Sequence, residues 1–103
     1  MNTKLKNENT DSLFRAILTL KTIEDCYAFF DDLCTVPELK AMAQRYAVAR
    51  MLDEGEIYTR IVEQTGASTA TLSRVNRALN YGSDGYALTI ERVKAENSEG
   101  GTQ

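Results

Sequence analysis

Thr59-Arg60-Ile61-Val62-Glu63-Gln64-Thr65-Gly66-Ala67-Ser68-Thr69-Ala70-Thr71-Leu72-Ser73-Arg74-Val75-Asn76-Arg77-Ala78-Leu79-Asn80 has the parts of a helix-turn-helix. A short helix carries Ile61 and Val62 inward and stops at Gly66. Glycine lacks a Cβ and so accepts the left-handed conformation of a tight turn. Ala67 is small enough to tuck under that turn. A second helix starts at Ser68 or Thr69, either of which can cap it. Leu72, Val75 and Leu79 form one stripe and can pack on Ile61.

The other stripe is Ser68, Thr69, Ala70, Ser73, Arg74 and Arg77: small, polar or basic. Such a face can lie close to base edges in a major groove, with hydroxyls and arginines reaching bases or phosphates. The pattern alone also fits a surface helical hairpin. In that case the hydroxyls serve only as caps and the arginines only as a solvated face.

Working outward, the pattern stays helical. Asp11 or Ser12 is expected to cap a first helix with Leu13, Phe14, Ile17 and Leu18. Thr22 caps a second, its hydroxyl taking the amide of Asp25 in a variant capping box. Ile23, Cys26, Tyr27, Phe30 and Cys34 recur at helical spacing opposite Glu24, Asp31 and Asp32. Pro37 suits the first turn of a third helix, with Thr35 as cap and Gly55 ending it after about Glu54. Leu39, Met42, Tyr46 and Ala49 line one side of it, Val48 and Leu52 another. Apolar residues on two sides call for more than one packing partner. Thr59 is expected to cap the short helix before Gly66. Asp84 is expected to cap a last helix with Tyr86, Leu88, Ile90 and Val93. No strand or internal repeat is evident. The organisation expected is a flexible arm at 1–10, a single all-helical domain at 11–95 with the helix-turn-helix at 59–80, and a disordered tail at 96–103.

The chain has 103 residues, 43 % apolar and 26 % charged. These are ordinary values for one soluble domain. No apolar run approaches the roughly 20 residues that span a bilayer, and no secretory signal is visible, so a cytoplasmic location is expected. With two cysteines and no histidine, one chain cannot complete a four-ligand zinc site. On one helix Cys26 and Cys34 would sit about 12 Å apart, too far for a disulfide, so buried, reduced thiols are expected. Without histidine, a metal set or a glycine-rich phosphate loop, an enzyme is not expected. Neighbouring carboxylates such as Asp31-Asp32 and Asp53-Glu54 diverge by ~100° on a helix and read as solvated surface. The net charge is −3, against the basic excess common in DNA-binding proteins. From Ile57 to Asn80, however, three arginines face one glutamate, a net of +2.

Gly66 to Arg74, followed by Asn76 and Leu79, resembles the recognition segment of the tryptophan repressor family. Pro37-Glu38-Leu39-Lys40-Ala41-Met42 with Arg45 resembles the entry to that family's central helix, and Gly55-Glu56-Ile57 its entry to the DNA-reading head. The match spans about residues 35–80. The whole chain is similar to the tryptophan-repressor-like YerC/YecD proteins. The resemblance implies an all-α, intertwined homodimer of about six helices per chain, with two reading heads on double-stranded DNA. It places DNA contacts on Thr69, Ala70, Thr71 and Ser73, and a phosphate contact on Arg60.

The family's effector pocket falls on Thr35, Arg45, Arg74, Val75 and Ala78. There Val75 replaces a glycine and Ala78 replaces a serine that helps hold the ligand's amino group. A valine crowds the indole and an alanine accepts no hydrogen bond, so tryptophan is not expected as corepressor and no other cofactor is expected. Arg45 and Arg74 then read as ion-pairing or phosphate-contacting residues. The expected function is a sequence-specific transcriptional regulator, a repressor by resemblance. The competing reading is a dimeric helical interaction module that has lost operator binding.

Overall fold

The computed structural model describes residues 3–101. Among them are a 3-10 turn at Thr3–Leu5 and six α-helices: α1 (Glu8–Ile17), α2 (Ile23–Leu33), α3 (Val36–Asp53), α4 (Tyr58–Thr65), α5 (Thr69–Tyr81) and α6 (Gly85–Gly101). No strand occurs among the described residues. Contacts group the chain into two compact units, residues 1–41 and 42–103, with the boundary inside α3.

In the first unit each helix start has a side-chain cap. Asn7 caps α1, its Oδ1 accepting the Thr10 amide at 2.8 Å and the Thr10 hydroxyl at 3.1 Å. The helix therefore begins inside the stretch expected to be an arm, ahead of Asp11 and Ser12. Apolar periodicity starts only at Leu13 and is silent about a polar first turn. Glu8 and Asp11 in that turn suit the positive end of the helix dipole. Thr22 caps α2 as expected, with Oγ1 accepting from the Asp25 amide at 3.0 Å. At α3, Thr35 Oγ1 accepts from the Glu38 amide at 3.2 Å while Glu38 Oε1 accepts from the Thr35 amide at 2.8 Å. This is a full capping box.

Those Thr35 hydrogen bonds, the backbone one foremost, hold the Glu38 carboxyl below the ordinary glutamate range. A carboxylate with a lowered folded-state pKa contributes stability above its unfolded pKa and loses it as pH falls through the folded value. Melting curves between neutral pH and about pH 3 are therefore expected to show a smaller acid-induced loss for Glu38→Gln than for the wild type. An identical acid limb would mean the box does not contribute.

No described residue of this unit is buried. Phe14, Leu18, Ile23, Tyr27, Leu33 and Val36 are exposed apolar side chains. Cys26 is exposed and Cys34 half-buried, both free. The expectation of buried thiols is corrected: the unit has no packed interior to hold them.

The second unit has a core. Val48, Ala49 and Met51 of α3, Ile61 of α4, Ala67 of the turn after it, Leu72 and Val75 of α5, and Ile90 of α6 are buried together. Tyr46, Leu52, Val62 and Tyr86 pack against them. α3 ends in a Schellman turn: Gly55 has φ +82°, its amide meets Leu52 O and the Glu56 amide meets Met51 O. Lys94 Nζ lies 2.7 Å from Asp53 Oδ2 and ties α6 to α3, and the hydrogen bond to Asp53 raises the Lys94 pKa.

Asp84 takes φ +65° and contributes its backbone carbonyl to the Leu88 amide. Among the described residues its side chain makes no hydrogen bond, which corrects its expected role as a cap. α6 continues to Gly101, through most of the segment expected to be a disordered tail. Ala95 and Glu96 are good helix formers, and a polar surface does not by itself stop a helix. Residues 1–2 of the expected arm and 102–103 of the expected tail lie outside the described residues.

Candidate nucleic-acid interface

α4 and α5 form the two helices of the motif, and the turn between them is held at several points. Gly66 sits at φ +70° and its amide closes on Val62 O. Thr65 Oγ1 donates to Ile61 O at 2.7 Å and accepts from the Ala67 amide at 3.2 Å. From α3, Gln44 Nε2 reaches Thr65 O at 3.0 Å. Ala67 is 2 % exposed beneath the turn. Leu72 and Val75 bury against Ile61, as their spacing predicts, and Leu79 is half-buried. These contacts leave the opposite face of α5 in solvent.

That face carries Ser68, Thr69, Ala70, Ser73, Arg74 and Arg77, all exposed. Ser68 is the cap: its hydroxyl accepts from the Thr71 amide at 3.1 Å and donates to Thr71 Oγ1 at the same distance. Ser68 and the half-buried Thr71 therefore have less capacity for a ligand than the expectation allowed. Thr69 and Ser73 make no side-chain hydrogen bond, and Arg74 and Arg77 no ion pair, among the described residues. An exposed, unsatisfied run of two hydroxyls and two guanidinium groups beside a helix start can take phosphate oxygens and base edges.

Two expectations change at α4. Thr59 does not cap it; the cap position is Ile57, at φ −78° and ψ 153°, with no side-chain hydrogen bond. The Gly55-Glu56 turn brings the chain into helix at Tyr58, two residues too early for Thr59 to be the cap. Arg60 is exposed but engaged: its Nε lies 3.1 Å from Glu56 Oε2. Glu56 stood one residue outside the charge window read in the sequence, and including it lowers the segment's net charge to +1. Its spacing of four from Arg60 was the available signal.

Of the expected effector positions, Arg45, Arg74, Val75 and Ala78 lie in the second unit and Thr35 in the first. Val75 is 1 % exposed within the core, so it is not free to line an open site. Arg45 is half-buried, without an ion pair among the described residues, and Arg74 is exposed. Ala78 lines an open cavity of about 430 Å³ with Tyr46, Ser83, Gly85, Tyr86 and Thr89. The Tyr46 and Tyr86 rings lie 6.4 Å apart in its wall. Thr35 belongs to the other unit, where its amide donates to Glu38 and its hydroxyl oxygen accepts from the Glu38 amide. Among the described residues no group of His, Cys, Asp and Glu could hold a metal ion. No described helix is long and apolar enough to cross a membrane.

The glycine turn, the buried seam and the basic, hydroxyl-bearing face together define a helix-turn-helix protein of the all-α class. The chain belongs to the Trp repressor protein family, whose model matches residues 8–94, and within it is of the YerC type. It is 55 % identical over 96 residues to the uncharacterized protein YerC of Bacillus subtilis (strain 168), covering 93 % of this chain and 92 % of that one. A TrpR-like protein from Eubacterium eligens ATCC 27750 superposes with a TM-score of 0.87 at 53 % identity, over 90 % of this chain and 96 % of its own. A proposed Trp repressor from Staphylococcus aureus gives a TM-score of 0.87 at 48 % identity, over 91 % and 95 %. The all-helical Trp repressor-like fold read from the sequence is the fold of this chain.

Proposed function

We propose that this protein is a homodimeric, sequence-specific DNA-binding regulator of transcription, acting in the cytoplasm as a repressor. The observation that carries the reading is the exposed α5 face, where Thr69, Ser73, Arg74 and Arg77 are unsatisfied while Leu72 and Val75 anchor the helix from behind. The family supports it. The dimer is supported by the first unit, which buries no described residue yet exposes apolar side chains along α1 and α2. Such faces favour burial against a second copy. Two heads related by a two-fold axis read half-sites about one helical turn, ~34 Å, or a multiple of it apart.

Titration of labelled genomic fragments at two salt concentrations tests this. Selected fragments should bind better than random duplex, and affinity should fall steeply with salt as counterions return to the phosphates. If no fragment exceeds random DNA even at low salt, the protein is the interaction module instead, a reading its net charge of −3 favours.

Tryptophan is not the corepressor in this proposal. Val75 is enclosed in the core, and the Ala78 side chain offers no acceptor to an ammonium group. Stoichiometric, micromolar tryptophan binding by calorimetry would refute that part.

A further inference from the structure

We infer that Glu56 is a built-in competitor for DNA phosphate, holding Arg60 in the free protein and thereby lowering the affinity of the head for DNA. The inference rests on the proposed function and on Arg60 as one of its phosphate contacts. Arg60 Nε lies 3.1 Å from Glu56 Oε2. Arg74 and Arg77, on the same head, hold no anion among the described residues.

Glu56 is also firmly placed. Its amide donates to Met51 O at 3.0 Å, and Gly55 before it is fixed at φ +82°. The Schellman turn that ends α3 therefore delivers a carboxylate next to the start of α4. There the cap residue Ile57 offers the free helix amides no side-chain acceptor. An arginine beside a helix start favours an anion, and here the arginine is already held by a carboxylate. When duplex arrives, Arg60 exchanges one anion for another, and the displaced carboxylate faces the phosphates.

The test uses the full chain and a labelled random-sequence duplex at low salt, measured by fluorescence anisotropy. Glu56→Gln keeps the side-chain shape and the backbone bond to Met51 while removing the charge. It should bind about 3- to 10-fold more tightly than the wild type, from a freed surface ion pair and a lost repulsion. The slope of log affinity against log salt should steepen by up to about 0.9, the share of one added phosphate contact. In an Arg60→Gln background the same substitution should change affinity less than about 2-fold. Glu56→Ala should act in the same direction, so the result does not depend on one variant folding.

Unchanged or weaker binding by Glu56→Gln overturns the inference. So does a full gain that persists without Arg60, which would make Glu56 a diffuse repulsive charge only. A wild type that binds no duplex under any salt overturns the proposed function itself, and this inference with it. A silent Glu56→Gln in a protein that does bind strikes only the inference.

Discussion

Leu72→Ala is expected to lose about 3 kcal/mol of unfolding free energy in urea, within the roughly 2–5 kcal/mol range for large-to-small changes at fully buried leucines. Leu72 has no exposed surface and lies in the cluster with Ile61, Ala67 and Val75. Truncation removes its transfer free energy and leaves a void that surrounding helices can only partly close. Small domains have about 5–15 kcal/mol in total, so this one change takes a large share. Because the second unit's core is what orients α5, DNA binding should fall with it. The slope of the urea transition should stay near the wild-type value if native compactness is kept. The comparison must be made at one protein concentration, since assembly would add to apparent stability. A loss below about 1 kcal/mol would mean that Leu72 is not a central contact of the core.

Ala70→Glu separates binding from folding. Ala70 is exposed in the first turn of α5, two residues after the Ser68 cap. A carboxylate there suits the helix dipole, so the melting temperature should hold or rise slightly, equivalent to about 0.3–1 kcal/mol. On DNA the same carboxylate meets phosphates and base edges at close range, where like charges cost several kcal/mol. Binding to a selected fragment should drop about 100-fold or more while circular dichroism remains that of the wild type. Retained affinity would remove α5 from the DNA interface and place the DNA contacts on another surface of the head.

Much of the head was legible because its constraints are local. Gly66 is placed by a backbone angle, Ala67 by the space under a turn, and Leu72, Val75 and Ile61 by helical period. The caps at Thr22 and Thr35 follow from hydroxyls three residues ahead of an amide. The misread positions have a different character. Thr59 lost the cap of α4 because the turn at Gly55-Glu56 brings the chain into helix at Tyr58. Asp84 lost its capping role because its backbone turns left-handed. Asn7 was passed over because polar first turns carry no apolar signal. Val75 belongs to the buried stripe by its period, and its burial bears that reading out.

The sequence by itself determined that the chain is helical, that α4 and α5 meet at Gly66, and that one face of α5 is hydroxyl-bearing and basic. Each follows from interactions between residues a few positions apart. The folded chain then showed which of those polar groups near neighbours already hold. Ser68 is spent on its own helix and Arg60 is held by Glu56, while Thr69, Ser73, Arg74 and Arg77 have no side-chain partner among the described residues. Only the tertiary structure decided that residues up to Ala41 bury nothing within the unit they form, whereas residues from Met42 onward enclose a core. Burial depends on where distant segments come to rest, and helical period carries no record of that.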